Sequence, residues 1–282
     1  AQAGRGNPAG VYLLPDDDFT DDHLQILATE RGISETGFLL QRPAGWSLRW
    51  FTPRVEIPLC GHGTVAAAYV LWEQGLLDPL TPARFYTRSG LLQARRTDDG
   101  WIELDFPAFT HTPDALPDRI IATFARPPQA VYFAHDRHVT VLATEAEVRN
   151  YRPDFAALRD HRLVITAPAD PRAPGAPAVP GPAYDFVSRY FAVPMGVNED
   201  PVTGSAHCAL TPYWAARLNK TQMVAYQASA RGGYLRLRLE GDRVFIAGQA
   251  VNVPAGRAAV PRETAPPHAA ALRVSATTLQ KP

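Results

Sequence analysis

Short apolar runs cut by turn signals dominate the chain, and only a few stretches sustain a helical period. Val11–Leu14 is a brief apolar run closed by Pro15 and the acidic turn Asp16–Asp18. Thr20 or Asp21 then caps a helix that carries Leu24, Ile26 and Leu27 and ends near Gly32. Phe38–Gln41 and Ser47–Phe51 read as paired strands, with Pro43–Gly45 as their turn. Thr64–Trp72, small and apolar throughout, predicts a fully buried helix closed by Gly75. Phe85–Thr87, Leu91–Arg95 and Trp101–Phe106 alternate apolar and polar positions as half-buried strands do.

A second set of elements follows. Ala130–Phe133, Val139–Leu142, Leu163–Thr166 and Phe186–Phe191 are strand-like runs. Ala206–Leu218 predicts a second small-residue helix, with Thr211-Pro212 as a kink. Tyr234–Leu239 and Arg243–Ile246, joined by Glu240-Gly241-Asp242, form the clearest hairpin. The proline-rich stretch Ala167–Pro182 is expected to be an exposed loop, and Pro254–Pro282 a peripheral tail.

The two sets echo each other. Cys60-Gly61-His62-Gly63-Thr64 leads into one alanine-rich helix, and Thr203-Gly204-Ser205-Ala206-His207, 143 residues later, leads into the other. Each puts a glycine and a small polar residue at a helix start, where free N–H groups and the helix dipole attract an anion. A glycine that only caps or packs explains either motif alone. The repetition favours a pseudo-twofold protein with its site between two halves, divided as 1–112 and 113–255, with 256–282 as the tail.

Composition narrows the class without naming a function. The 282 residues carry 28 basic and 28 acidic side chains, 46% hydrophobic residues and 20% charged ones, which excludes general disorder and any electrostatic footprint for nucleic acid. The apolar runs are too short for a membrane helix, so a cytoplasmic protein is expected. The chain opens at Ala1 without a methionine, and the expectation is a start that is processed or incomplete. Cys60 and Cys208 are too few for a disulfide framework, although one bridge between them is left open. The eight histidines are scattered and neither cysteine has a ligand-like spacing, so no metal is expected. With no Walker loop, dinucleotide fingerprint or nucleophile elbow, the expected chemistry is cofactor-free.

Several residues can carry such chemistry. Glu35 enters an apolar strand from a glycine-flanked turn; in a closed apolar cleft its pKa would rise and let it take and return a proton near neutrality. Its ordinary alternative is a surface carboxylate. His62 can hydrogen-bond a substrate or relay protons, or it can simply satisfy a backbone group. Asp200 stands in an Asp-Pro turn, and Ser205 reads equally as a helix cap. Cys60 is either a thiolate activated by a helix start or a packing residue.

The motifs together resemble the phenazine-biosynthesis PhzF-like family. The resemblance rests on Gly6-Asn7-Pro8-Ala9-Gly10-Val11, Ser34-Glu35-Thr36-Gly37-Phe38, Arg49-Trp50-Phe51-Thr52-Pro53, Leu59-Cys60-Gly61-His62-Gly63-Thr64, Glu199 to His207, and Arg231-Gly232-Gly233. It implies an α+β, diaminopimelate-epimerase-like fold of two similar halves, each a curled, mostly antiparallel sheet around a central helix. It further implies a homodimer that isomerises a small carboxylic acid without cofactor or metal, as the enzyme acting on trans-2,3-dihydro-3-hydroxyanthranilate does. The family's catalytic glutamate falls on Glu35, its histidine on His62, its aspartate on Asp200 and its serine on Ser205. Ser34, Gly61, Gly63 and Gly204 are the substrate-binding candidates. The Cys60 motif is also similar to the first cysteine motif of proline racemases, but the second motif places Thr203 where those enzymes have another cysteine. A thiol-dependent epimerase or dehydratase of a cyclic amino acid using Cys60 is therefore the runner-up. A non-catalytic ligand- or protein-binding member is the third reading.

Overall fold

A computed structural model describes residues 4–170 and 182–252, so most of the expected proline-rich loop and the expected tail lie outside the described residues. The chain divides into two compact units, 4–105 with 247–252, and 106–170 with 182–246.

The first unit contains β1 (Ala9–Leu14), α1 (Asp21–Arg31), β2 (Glu35–Arg42), β3 (Gly45–Phe51), β4 (Glu56–Ile57), α2 (Gly61–Glu73), β5 (Ala83–Thr87), β6 (Gly90–Arg96) and the start of β7 (Ile102–Pro107). Its strands run in the order β1-β2-β3-β5-β6-β7, with β4 on the side of β3. Thr20 caps α1 by accepting from the His23 amide at 3.3 Å, while Gly32 closes it in the left-handed conformation at φ 60°. Leu24, Leu27 and Ala28 form the buried stripe of α1; Ile26, expected in that helix, lies on its exposed side. They pack on Tyr12, Phe38 and Phe51. The Tyr12 and Phe38 rings stack at 5.3 Å, and Phe51 meets Phe38 edge-on at 5.5 Å. Helix α2 is buried along almost its whole length because Ala66, Ala67 and Ala68 let surrounding strands approach closely.

The second unit contains β8 (Thr112–Pro113), α3 (Asp118–Ile121), β9 (Ala130–Ala134), β10 (Arg137–Val141), α4 (Glu145–Asn150), β11 (Leu163–Pro168), β12 (Phe186–Ala192), β13 (Val197–Asp200), α5 (Gly204–Leu218), β14 (Gln222–Gln227), β15 (Gly233–Glu240) and most of β16 (Arg243–Gly248). Its strand order is β16-β15-β14-β12-β11-β10-β9-β8, with β13 beside β12. Strand β11 takes in Ala167 and Pro168, the first residues assigned from sequence to the loop. Pro212 sits inside α5 without ending it. Leu158, Leu163, Ile165, Val187 and Phe191 are fully buried at the centre of this unit. Each such side chain contributes about 1.5–3 kcal/mol by leaving water. No helix among the described residues is long and apolar enough to cross a membrane.

Candidate active site

In the first unit, pairing direction decides what meets what. Strands β1 and β2 run parallel with Ala9 opposite Glu35, so the segment before β1 lies beside the segment before β2. This seats Asn7, which is fully buried, against Ser34: Ser34 Oγ is 3.0 Å from both Asn7 Oδ1 and the Pro8 carbonyl. The Asn7 amide nitrogen is 3.2 Å from His62 Nδ1. The other ring nitrogen, Nε2, lies 2.9 Å from Glu35 Oε2. That contact is an ion pair, and Glu35 Oε2 has no hydrogen bond of standard geometry among the described residues.

Glu35 is 8% exposed. Burial pushes its carboxyl up, but His62 against it more than reverses the effect, and the pKa falls below the ordinary 4.5. The rise expected from an apolar cleft is thus overturned by a neighbour the sequence could not place. Burial also works against charge on His62, yet the Cys60 sulfur and the Glu35 carboxylate raise it well above 6.5. The pair rests as carboxylate and imidazolium. A charged ring needs an acceptor at Nδ1, and Asn7 supplies one when its amide oxygen faces the ring. Its nitrogen then donates to Ser34 Oγ, which donates onward to the Pro8 carbonyl.

Cys60 is the N-cap of α2. Its Sγ accepts from the Gly63 amide at 3.4 Å and lies 3.6 Å from His62 Nδ1. Burial raises the thiol, with His62 opposing, so the helix start does not yield a standing thiolate. Gly63 is a glycine because of its surroundings: a β-carbon there would lie 2.9 Å from Cys60 Sγ and 2.9 Å from Trp50 Cδ1. Glu35, Cys60 and His62 offer ligand atoms within 4.8 Å of one another, a donor set of the kind zinc accepts. Spacing along the sequence had argued against such a grouping; the fold brings it about across 27 positions.

In the second unit, the start of α5 repeats the backbone of α2. Cys60 has φ −142° and ψ 104°, and Thr203 has φ −122° and ψ 103°. Their side chains differ in use. The Thr203 hydroxyl donates to Asp200 Oδ2 and leaves α5 without a side-chain cap. Gln227, fully buried at the end of β14, fixes this corner: it accepts from the Thr203 amide at 2.9 Å and donates to the Asp200 carbonyl at 2.7 Å. Ser229 and the Gly232 turn brace it further, Ser229 Oγ donating to the Pro201 carbonyl at 2.8 Å. Ser205 is therefore not the cap but lies in the first turn, where its Oγ accepts from Arg137 at 3.0 Å. His207 donates Nδ1–H to the Thr203 carbonyl at 2.8 Å, and burial lowers its pKa to about 4, so it stays neutral. Cys208 is fully buried, and burial pushes its thiol up to about 12; both cysteines are free.

Glu35, His62, Cys60, Ser34, Gly61 and Gly63 thus gather in one unit, and Asp200, Gly204 and Ser205 in the other. Sequence reasoning missed Gln227, Thr203 as a hydroxyl donor, Asn7 as the partner of His62, and Arg137. Asn7 and Thr203 stand inside quoted motifs; nothing local marked Gln227 or Arg137.

Comparison with known proteins adds an independent line. The profile of a family described as phenazine biosynthesis-like protein matches residues 1–256. An uncharacterized isomerase of Pseudomonas aeruginosa is 46% identical over 255 residues, covering 89% of this chain and 92% of that protein. An uncharacterized isomerase of Halalkalibacterium halodurans is 42% identical over 257 residues, with 89% and 92% covered. A crystal structure of a PhzF-family phenazine biosynthesis protein from Enterococcus faecalis matches with TM-score 0.79 at 35% identity, over 88% of this chain and 91% of that one.

Proposed function

Because the chain belongs to the phenazine biosynthesis-like family, with its α+β, diaminopimelate-epimerase-like fold, we propose that it is an isomerase that moves a proton between two carbons of a small carboxylic acid. The observation that carries this reading is Glu35 Oε2, buried, without a hydrogen bond of standard geometry among the described residues, and 2.9 Å from His62 Nε2. His62 is the charge that offsets this buried carboxylate, and a base poised to take a proton from carbon needs a lone pair not committed to a hydrogen bond.

In the proposed reaction, Glu35 removes a proton from a carbon activated by a conjugated carboxylate or enamine. The electron pair shifts through the conjugated system, and the Glu35 carboxyl, after its proton exchanges with solvent, delivers a proton to a second carbon. His62 offsets the negative charge that develops. Asp200, Ser205 and Gly204 are the proposed polar contacts of the second unit, while in the first the Gly61–Gly63 turn supplies amides and Ser34 keeps Glu35 and Asn7 in register. Every atom and electron pair stays within one molecule, Glu35 and solvent, so the step calls for no cofactor. Cyclic acids resembling trans-2,3-dihydro-3-hydroxyanthranilate are the proposed substrates, and a cytoplasmic homodimer is the proposed state.

The thiol-dependent alternative is disfavoured by the raised Cys60 thiol and by its engagement with the Gly63 amide. The test is proton NMR in deuterated water over a panel of cyclic enamine acids, trans-2,3-dihydro-3-hydroxyanthranilate, proline and hydroxyprolines. Carbon-bound deuterium should appear with wild type and fall by ~10²–10⁴-fold in Glu35→Gln, while Cys60→Ser retains most of the rate. Exchange that survives Glu35→Gln and vanishes in Cys60→Ser transfers the chemistry to the thiol. No exchange with any compound favours a binding protein.

A further inference from the structure

A buried cation stands at the start of α5 that the acid–base chemistry of Glu35 leaves unused. Arg137, the first residue of β10, is 4% exposed. Its Nε donates to Asp136 at 2.6 Å, and its guanidinium carbon lies 4.9 Å from the centre of the Tyr190 ring. Asp136 is held in turn by Arg162. Arg137 is thereby fixed on two sides, and one nitrogen still reaches Ser205 Oγ at 3.0 Å.

The chemistry of that contact has one direction. A guanidinium has five N–H donors and no acceptor, so Ser205 Oγ accepts. Its own hydroxyl proton is then free to point elsewhere, and no described residue takes it. Thr203, two residues earlier at the N-cap position, has committed its proton to Asp200 and gives the helix no side-chain cap. The donors at this corner from which no described residue accepts are the Ser205 hydroxyl and the first-turn amides of Gly204 and Ser205, with the Arg137 guanidinium behind them.

We propose that Arg137 is a positioning residue that fixes Ser205 as a hydroxyl donor and makes the start of α5 select a carboxylate over a neutral isostere. This deepens the reading given under Proposed function, and it rests on that reading only in taking Ser205 as a substrate contact. Arginine serves the role because its planar fork reaches Asp136 and Ser205 at once, which a lysine ammonium on a flexible stem cannot do.

Calorimetric titration of the full chain tests it without turnover, using 3-hydroxyanthranilate and its carboxamide as probes. Wild type should bind the carboxylate about 10–100-fold more tightly than the amide, the range expected for a charge-assisted hydrogen bond. Arg137→Met and Ser205→Ala should each abolish most of that preference, and the double variant should lose little beyond Ser205→Ala alone, because one residue acts through the other. If Arg137→Met does not fold, Arg137→Lys carries the same cycle, with reduced preference on the native background and no further loss on Ser205→Ala. Equal binding of both probes by wild type, preference undiminished in Arg137→Met, or strictly additive losses would overturn the proposal. Its failure is separable from that of the isomerase reading, because Glu35→Gln removes carbon-bound exchange and leaves the carboxylate preference intact.

Discussion

Replacing Gly63 by alanine puts the packing around the proposed site to a quantitative test. The new methyl would sit 2.9 Å from Cys60 Sγ, 2.9 Å from Trp50 Cδ1 and 3.1 Å from Trp50 Nε1. Carbon contacts settle at about 3.5–4.0 Å, so neighbours have to move by roughly 0.6 Å or more. Neither can yield easily: Trp50 is 1% exposed in the middle of β3, and Cys60 is held by its cap to α2. Overpacking of this kind costs about 1–3 kcal/mol. Alanine regains up to ~1 kcal/mol of helix propensity, and less than that in a first turn. A net loss of about 1–2 kcal/mol is expected, lowering the melting temperature by roughly 2–8 °C in thermal unfolding followed by circular dichroism. The push on Cys60 is transmitted to His62, so the exchange rate should drop by up to ~10²-fold. Adding Trp50→Phe, which removes the clashing five-membered ring, should recover part of the loss. A Gly63→Ala protein as stable as wild type or more so, with undiminished exchange, would refute the steric argument and leave propensity as the stronger term.

Other outcomes follow from the same geometry. The exchange rate should be bell-shaped in pH: its acid limb lies below the ordinary carboxylate value of 4.5, where Glu35 takes up a proton, and its alkaline limb lies well above 6.5, where His62 loses one. Stability measured by urea unfolding should track the same pair. The lowered Glu35 contribution is present above 4.5 and lost as pH falls through the folded value; the raised His62 contribution is present below 6.5 and lost as pH climbs through its folded value. A flat pH profile would show that the pair does not act as carboxylate and imidazolium. Thr203→Val leaves Asp200 and the buried Gln227 amide each short of a partner, and about 1–3 kcal/mol of unfolding free energy should go with it. An unchanged urea midpoint would mean that the corner is held by something else.

The sequence was most legible where signals are local. Thr20 and Gly32 bracket α1 as their cap chemistry requires, and Tyr234–Leu239 with Arg243–Ile246 stands as the expected β15–β16 hairpin. The repeated helix starts proved to share one backbone conformation. Strand β14 escaped because its alternation is between fully and partly buried side chains, Met223 and Ala225 against Val224 and Tyr226, with no polar contrast to read. Helix α4 carries a capping box, Thr144 with Glu147, but is only six residues long. The site was legible as a set of residues and not as an electrostatic state. Glu35 and His62 stand 27 positions apart, and only their meeting turns an expected rise in the Glu35 pKa into a fall. Arg137 was invisible for the same reason: an arginine in a strand pattern reads as a solvated position, and its partner Ser205 stands 68 residues on.

The unit that carries Glu35 is not one continuous piece of chain. Residues 4–105 are completed by 247–252, and the whole second unit intervenes. During synthesis the ribosome therefore delivers the Glu35, Cys60 and His62 segments long before the stretch that finishes their unit, while residues 106–246 emerge as one uninterrupted stretch. Domains fold as units while the chain is being made, so the second unit can reach its native form first and the proton-handling one last. A chain cut short between residues 206 and 246 would keep every residue proposed for catalysis and still lack the closing segment, so such a truncation is expected to be inactive.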